Sequence, residues 1–224
     1  MRVVIRIGGS VIASPVNSAL IRKYSALLIS LKERNHQIIV VVGGGLLARD
    51  FISTAKDLGL AEEARDDVAI SVSRLYAQLL LKTLGSLGCE CVPYTINEAL
   101  KCLNEGRIVV MGGFRPGMTT DAVAALLAKQ ADADLLVKAT DQEGIYDKDP
   151  KKHSDAIKLD YVDFEQISHV FEQAEHQAGI HQILDPEAVK ILKESRLKVV
   201  VVNGFRSENV MAAIEGKRVG TVIE

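Results

Sequence analysis

Short runs of consecutive apolar residues alternate along the chain with longer stretches in which apolar positions recur at helical spacing. Such uninterrupted runs, mostly of β-branched residues, are typical of strands buried on both faces of a sheet, whereas a period of about 3.6 residues indicates an amphipathic helix. The pattern predicts strands at residues 2–7, 37–42, 89–92, 107–111, 133–139 and 197–202. It predicts helices at residues 17–34, 46–58, 61–87, 96–104, 121–130, 164–173 and 186–195.

This alternation predicts right-handed βαβ units, and therefore a mostly parallel central sheet with helices on both sides. No stretch rich in proline, glycine or serine separates two halves of the 224-residue chain, so we expect a single domain over residues 1–224. One long irregular segment, residues 141–156, is rich in Asp, Lys, Gly and Pro. A loop of that length within a compact domain is usually functional.

Charge and hydropathy exclude several classes of partner. The formal net charge is −2 and the pI is about 6.2, which gives no basic field for a nucleic acid. The chain opens directly on a strand-like run, and its apolar runs are too short to span a bilayer. We therefore expect a cytoplasmic protein with no membrane or nucleic-acid partner.

Cysteine and histidine give no sign of a metal site. Cys89 and Cys91 alternate through the predicted strand 89–92, which favours small core residues over a disulfide framework for the three cysteines, the third being Cys102. The five histidines are scattered through polar surroundings without ligand spacing. The sequence therefore predicts no metal held by protein side chains.

Glycines follow three of the predicted strands directly. They are Gly8-Gly9 before Ser10, Gly43-Gly44-Gly45, and Gly112-Gly113. Parallel strands end at one edge of a sheet, and glycines there let main-chain N–H groups and the next helix N-terminus bind an anion. A single glycine turn has an equally good steric explanation, but three at one edge favour a phosphate site. Neither a Walker A nor a G-x-G-x-x-G pattern is present.

Three cationic residues are placed to reach this glycine edge. Arg6 precedes Gly8 on the first strand, Arg49 lies one turn beyond Gly45, and Lys138 ends the apolar run 135–137. Phosphoryl transfer between two anionic molecules depends on fixed cations and dipoles. A surface salt bridge explains each cation taken alone, except that Lys138 lies in an otherwise apolar strand, which favours a functional role.

Two polar loops and one acid pair remain. Thr120 is predicted to cap the helix that starts at Asp121, and the loop before it carries backbone donors that suit a second phosphate. The loop 144–152 contains an aromatic residue among polar ones, a composition suited to a nucleotide base. Asp66 and Asp67 are, from the residues alone, best interpreted as a solvated acid pair.

Taken together, several motifs resemble the amino-acid-kinase family, and within it the uridylate kinases of archaeal type. They are Ile7-Gly8-Gly9-Ser10, Val42-Gly43-Gly44-Gly45 with Arg49, Met111-Gly112-Gly113 through Thr119-Thr120-Asp121-Ala122, Gly144-Ile145-Tyr146 with Asp149-Pro150-Lys151, and Leu184-Asp185-Pro186. The resemblance covers essentially the whole chain. It implies a three-layer α/β/α fold in which the N-terminal part binds the acceptor, UMP, and the C-terminal part binds ATP.

The resemblance also implies roles for individual residues. The ATP-binding positions match Gly9, Ser10, Gly45 and Arg49 at the phosphates and Thr140, Tyr146 and Asp149 around the nucleoside. The UMP-binding positions match Gly44, Asp66, Phe114, Arg115, Pro116, Gly117, Met118, Thr119 and Thr120. The catalytic positions match Arg6, Lys138 and Asp121. Position 6 is a lysine in most of the family, and Arg cannot reproduce a compact ammonium. Asp141 and Glu143 also depart from the usual residues.

A UMP phosphate is already anionic at neutral pH, its second pKa being near ~6, so this chemistry needs no catalytic histidine. Mg²⁺ would enter with ATP, held chiefly by phosphates and water. Relatives of this kind imply a homohexamer built from dimers. Two alternatives stay open: a kinase of the same fold for isopentenyl phosphate, carbamate or an amino-acid carboxylate, and a non-catalytic nucleotide-binding protein. The lack of a His in residues 46–50 counts against isopentenyl phosphate.

Overall fold

A computed structural model describes residues 1–13, 15–167 and 183–224 of the chain. The strands are β1 (Arg2–Ile7), β2 (Gln37–Val42), β3 (Val109–Met111), β4 (Leu135–Thr140), β5 (Ile145–Tyr146), β6 (Lys158–Leu159), β7 (Tyr161–Val162), β8 (Val199–Asn203) and β9 (Thr221–Ile223). The helices are α1 (Gly9–Ile12), α2 (Ser18–Glu33), α3 (Gly45–Asp57), α4 (Glu62–Lys82), α5 (Ile96–Asn104), α6 (Thr120–Gln130), α7 (Pro186–Ser195) and α8 (Ser207–Ile214).

Seven strands form the central sheet, in the order β3-β2-β1-β4-β8-β9-β7. All neighbours pair in parallel except β8 and β9, which are antiparallel. β5 and β6 make a separate antiparallel pair. The sheet interior is almost wholly Val, Ile and Leu, as the uninterrupted apolar runs predicted.

Two adjacent residues of β4 show that helices cover both faces. Lys138 points to Asp121 in the first turn of α6, which packs on α7. Ala139 points the opposite way, towards Gly204 and the hydroxyl of Tyr24 in α2, which packs on α8. Because successive side chains of a strand lie on opposite faces, α6 and α2 belong to different layers. The predicted three-layer α/β/α fold is confirmed.

Polar caps define where several helices begin. The side chains of Asn17, Thr95, Thr119 and Asp185 accept hydrogen bonds from backbone N–H groups three residues ahead, at the starts of α2, α5, α6 and α7. The predicted cap of α6 was wrong by one position. Thr119 is the cap, and the hydroxyl of Thr120 is instead contacted by Arg6.

Other element predictions need correction or extension. The long helix predicted at 61–87 ends at Lys82, because Gly85 adopts a positive φ of 55° and opens a short 3₁₀ turn. The short elements β5, β6, β7, β9 and α8 carry too few residues to show a period, and the sequence did not predict them. The helix predicted at 164–173 lies largely outside the described residues.

The segment 89–92 is not a strand, and its cysteines behave differently from the prediction. Only Gly88 makes a single bridge, to Ile108. Cys89 and Cys102 form a disulfide, with their Cα atoms 6.1 Å apart, since α5 folds back over this segment. Cys91 is a free, exposed cysteine. The prediction of three core cysteines without a disulfide was therefore wrong.

Of the helices in the described part of the chain, none combines the length and apolar character that a membrane crossing requires.

Candidate functional site

The carboxyl ends of β1, β2, β3 and β4 meet at one edge of the sheet, and the predicted glycines lie there. The turn after β1 touches the turn after β2. A Cβ on Gly9 would lie 2.0 Å from the backbone nitrogen of Gly45, a distance that no side chain tolerates. Gly45 itself has a φ of +64°, which favours glycine. The glycines therefore let two backbone turns close on each other beside one pocket.

We call this first cavity, of about 360 Å³, the cationic pocket. Its lining residues are Arg6, Gly9, Ser10, Gly43, Gly44, Gly45, Arg49, Asp121, Lys138, Thr140, Asp141, Gln142 and Lys151. Four of them are cationic and two are carboxylates, so the charged side chains sum to +2. Glycine turns, a helix N-terminus and excess positive charge are the features that bind a polyphosphate.

Strand register sets the cluster of charges at the base of the cationic pocket. Arg6 of β1 and Lys138 of β4 are register partners on adjacent parallel strands, and both face α6. Asp121 lies between them, with Oδ1 2.7 Å from Arg6 Nε and Oδ2 2.5 Å from Lys138 Nζ. Without this carboxylate two neighbouring cations would be buried together. Asp121 therefore holds both cations in place.

The pKa values of this cluster follow from burial and charge. Burial lowers the pKa of Lys138 strongly, the Asp121 carboxylate raises it in part, Arg6 lowers it further, and the resulting pKa is about 8. For Asp121, burial raises the pKa, but the charges of Arg6 and Lys138 outweigh this, and the net pKa is lowered. Asp121 is therefore ionised at neutral pH, and Lys138 remains mostly protonated there.

A second cavity of about 360 Å³ opens beside the first and is called the loop pocket. Its lining residues are Gly44, Ala48, Glu62, Asp66, Ala69, Ile70, Ser73, Gly113, Arg115, Gly117, Met118, Thr119 and Thr120. They come from the start of α3, from the N-terminal half of α4 and from the segment that runs from β3 into α6. This pocket is less charged than the cationic pocket and has more apolar surface.

Specific hydrogen bonds shape the loop pocket. Asp66 Oδ2 accepts from the backbone N–H of Gly117 at 2.7 Å, which ties α4 to the loop. Ser73 Oγ accepts from Gly113 N at 2.8 Å. At the end of the loop, Thr119 Oγ1 donates to Asp185 Oδ2 at 2.5 Å, and Asp185 also caps α7. Both ends of the loop are thus anchored to helices.

The two pockets share Gly44 and are linked by one side chain. Arg6 Nη2 donates to the hydroxyl of Thr120 at 3.0 Å, while Arg6 Nε contacts Asp121. Thr120 lines the loop pocket and Asp121 lines the cationic pocket. Two ligands in these pockets would therefore approach each other next to Arg6 and Lys138.

The sequence profile of the amino acid kinase family matches residues 1–203. The chain belongs to this family. It is 39% identical to a uridylate kinase from Methanobrevibacter smithii over 100% of this chain and 99% of that protein. Among solved structures, a uridylate kinase from Archaeoglobus fulgidus superimposes with a TM-score of 0.89 at 38% identity, covering 100% of both chains. A UMP kinase from Bacillus anthracis, 21% identical, shares the fold with a TM-score of 0.82, over 100% of this chain and 95% of that one.

The structure brings most of the predicted site residues into these two pockets. Arg6, Lys138 and Asp121 lie together in the cationic pocket, along with Gly9, Ser10, Gly45, Arg49 and Thr140. The loop pocket contains Asp66, Arg115, Gly117, Met118, Thr119 and Thr120, and Gly44 lies in both. The predicted site residues that line these cavities thus fall into two adjacent groups.

Four predicted residues line neither pocket. Tyr146 lies in the β5–β6 pair, and Asp149 is buried in the turn that follows it. Phe114 borders a different cavity, beside Arg74 and Tyr94. Pro116 lies in the loop without lining the loop pocket.

Several lining residues were not predicted as site residues. In the cationic pocket they are Gly43, Asp141, Gln142 and Lys151, and in the loop pocket Ala48, Glu62, Ala69, Ile70, Ser73 and Gly113. Lys151 and Asp141 both lie within the long irregular segment 141–156, so its length was a usable signal. Ser73 looked like a packing position on α4, and only the approach of α4 to the β3 exit shows that it binds Gly113.

Proposed function

We propose that this protein is a UMP kinase that transfers the γ-phosphoryl group of Mg–ATP to UMP, giving ADP and UDP for pyrimidine nucleotide synthesis. The observation that carries the proposal is the pair of pockets that meet at Gly44, with Arg6, Asp121 and Lys138 beside their junction. The names of the archaeal relatives at about 40% identity support UMP as the acceptor.

In this proposal ATP occupies the cationic pocket. Backbone N–H groups at Gly9, Ser10 and Gly45 and the guanidinium of Arg49 bind its phosphates, with Thr140 nearer the nucleoside. Asp121, the carboxylate at the base of the pocket, already contacts two cations, Arg6 and Lys138. This arrangement suits Mg²⁺ that arrives coordinated by the ATP phosphates and water. In this proposal Mg²⁺ enters and leaves the pocket bound to the nucleotide.

UMP occupies the loop pocket. The Asp66 carboxylate is an acceptor, which suits the ribose hydroxyls, whereas the N–H and hydroxyl groups of the loop suit a phosphate or the uracil carbonyls. Thr119 and Thr120 lie at the N-terminus of α6, where the helix dipole also favours a phosphate. The UMP phosphate is then directed to the junction of the two pockets.

The transfer step itself relies on positioning and charge. The attacking UMP phosphate oxygen is already anionic, so no side chain has to remove a proton. The reaction concentrates negative charge around the transferring group, and the cations of Lys138 and Arg6 stabilise it there. Asp121 orients these cations and does not contact the phosphate in this scheme. Because the cluster is preformed by strand register, it costs little reorganisation during the reaction.

We also propose that the protein forms a homo-oligomer, a hexamer built from dimers, in the cytoplasm. Large apolar side chains are exposed on α3 and α4, among them Leu46, Phe51, Leu75 and Leu79. Exposed apolar patches of this kind mark interaction surfaces. Light scattering of the purified protein tests the proposal, and a monomeric mass at micromolar concentration would contradict it.

The enzymatic proposal is tested with an acceptor panel. The purified protein is incubated with Mg–ATP and, separately, UMP, CMP, dTMP, isopentenyl phosphate or carbamate, and ADP release is followed against a reaction without acceptor. We expect the fastest release with UMP, together with UDP as the second product. Faster ADP release with isopentenyl phosphate or carbamate than with UMP would show that the protein phosphorylates that acceptor instead. No release above background with any acceptor would favour a non-catalytic nucleotide-binding protein.

A further inference from the structure

The long loop after β4 brings one more cation into the cationic pocket. Lys151 and Asp141, ten residues apart in the sequence, both line it, and Lys151 Nζ lies 3.2 Å from Asp141 Oδ2. The Thr140 hydroxyl also contacts Asp141, through Oδ1 at 3.2 Å. The pair therefore lies just beyond the end of β4, in the pocket that the glycine turns also line.

The backbone of Lys151 is held by a buried carboxylate. Asp149 is 4% exposed, and its Oδ1 accepts from the N–H of Lys151 at 2.9 Å. Its carbonyl oxygen accepts from Lys152 and His153 at 3.1 and 2.9 Å. A carboxylate that binds the backbone two residues on fixes a tight turn. Asp149 thus holds the backbone of Lys151, whose side chain lines the pocket, whereas the next residue, Lys152, does not line it.

The ion pair of Lys151 can be exchanged at little cost. The Lys151 side chain is 65% exposed and Asp141 is 31% exposed, and ion pairs of this kind contribute little to stability. Arg6 and Lys138, in contrast, are committed to the buried Asp121. A polyphosphate offers several anionic oxygens close together and competes well with one carboxylate for a lysine ammonium.

We propose that Lys151 is a further binding residue for ATP, which leaves Asp141 and contacts the polyphosphate chain when the nucleotide enters. Asp149 fixes the turn that carries Lys151. The identity of the ligand as ATP rests on the proposed function. The role of Lys151 as a polyphosphate-binding cation rests on the pocket geometry.

The test is equilibrium binding, by calorimetry, of Mg–ATP, Mg–ADP and adenosine to Lys151→Ala, with Lys152→Ala as the matched control. We expect Lys151→Ala to bind Mg–ATP and Mg–ADP about 5- to 10-fold more weakly, as for the loss of a partly exposed charged contact. Adenosine, which has no phosphates, should bind within about twofold of wild type. Lys152→Ala should bind Mg–ATP as tightly as wild type. Lys151→Arg, which keeps the positive charge, should retain most of the affinity for Mg–ATP. Asp141→Asn should bind Mg–ATP at least as tightly as wild type.

Three outcomes would overturn the proposal. Equal Mg–ATP affinity in Lys151→Ala and Lys152→Ala would remove Lys151 from the site. An equal loss for adenosine would show that the substitution disturbs the loop and not a phosphate contact. A loss of affinity in Asp141→Asn as large as that in Lys151→Ala would assign the binding to the intact pair. The UMP kinase proposal fails separately: in that case the wild-type protein binds nucleotide but releases no ADP with any acceptor.

Discussion

The two pockets have similar volumes but are built on different principles. The cationic pocket is formed by the ends of parallel strands, and its central cations, the buried Lys138 and the largely buried Arg6, are held by Asp121. The loop pocket is formed by helices and a loop, and its shape is held by single hydrogen bonds: Asp66 and Ser73 each accept one from a loop N–H group, and Thr119 donates one to Asp185. The difference indicates that the charges of the cationic pocket are in place before a ligand binds. In the loop pocket, the shape and the positions of the donors select the ligand. We therefore expect substitutions in the cationic pocket to lower kcat and substitutions in the loop pocket to raise the KM for UMP.

Lys138→Ala should have the largest effect. A cation beside the transferring group stabilises charge most in the transition state, so kcat should fall by about 100-fold or more with a smaller change in KM for ATP. Steady-state kinetics with varied ATP and UMP measure this. Lys129→Ala, which removes an exposed lysine paired with Glu194, is the control and should leave kcat unchanged. An unchanged kcat in Lys138→Ala would exclude it from catalysis.

Substitution of Arg6 tests the link between the pockets. Because Arg6 contacts both Asp121 and Thr120, Arg6→Ala should lower kcat on the order of 10- to 100-fold and also raise KM for UMP. Arg6→Lys keeps the charge but cannot make both contacts, so its activity should lie between those of Ala and wild type. The same steady-state assay separates the three proteins, and equal activity in all of them would make Arg6 a structural residue.

Asp66→Ala should affect the loop pocket alone. We expect KM for UMP to rise by about tenfold or more, since a charge-assisted hydrogen bond is lost, with little change in KM for ATP. Discrimination against dUMP should shrink, because the proposed partner is a ribose hydroxyl. Kinetics with UMP, dUMP and ATP decide the matter.

Asp66→Asn is the matched variant, since its amide oxygen can still accept from Gly117 N. If Asn restores the KM for UMP fully, the effect of Ala belongs to the shape of the loop and not to a contact with ribose. If Asp66→Ala changes only the KM for ATP, then ATP binds in the loop pocket and UMP in the cationic pocket.

The pH dependence should give the smallest, graded effect. Lys138, whose pKa is lowered to about 8, is cationic below that pH and neutral above it. The value of kcat/KM, which reports groups of the free enzyme, should therefore fall to about half near pH 8 and continue to fall as the pH rises. In Lys138→Arg the guanidinium stays charged, so this alkaline limb should disappear. An identical limb in both proteins would assign it to another group.

Much of the fold could be predicted from local patterns. Apolar runs located β1, β2, β4 and β8 to within about two residues, since a strand buried on both faces has to be apolar throughout. The helical period located the starts of α2 and α7 to within about one residue. The strand predicted at 89–92 was wrong, because the apolar alternation of this segment serves packing and a disulfide between Cys89 and Cys102 instead of strand pairing.

The sequence by itself determined the glycine turns, the candidate cations and the parallel α/β architecture, because each depends on a residue and its near neighbours. Tertiary structure alone decided that Arg6 and Lys138 are register partners, that Asp121 lies between them, and that Asp66 binds Gly117 fifty-one residues away. It also decided that Asp149 holds the backbone of Lys151, whose side chain lines the pocket. These contacts arise from strand pairing and helix packing between distant segments, and no local period or composition encodes which distant partners meet.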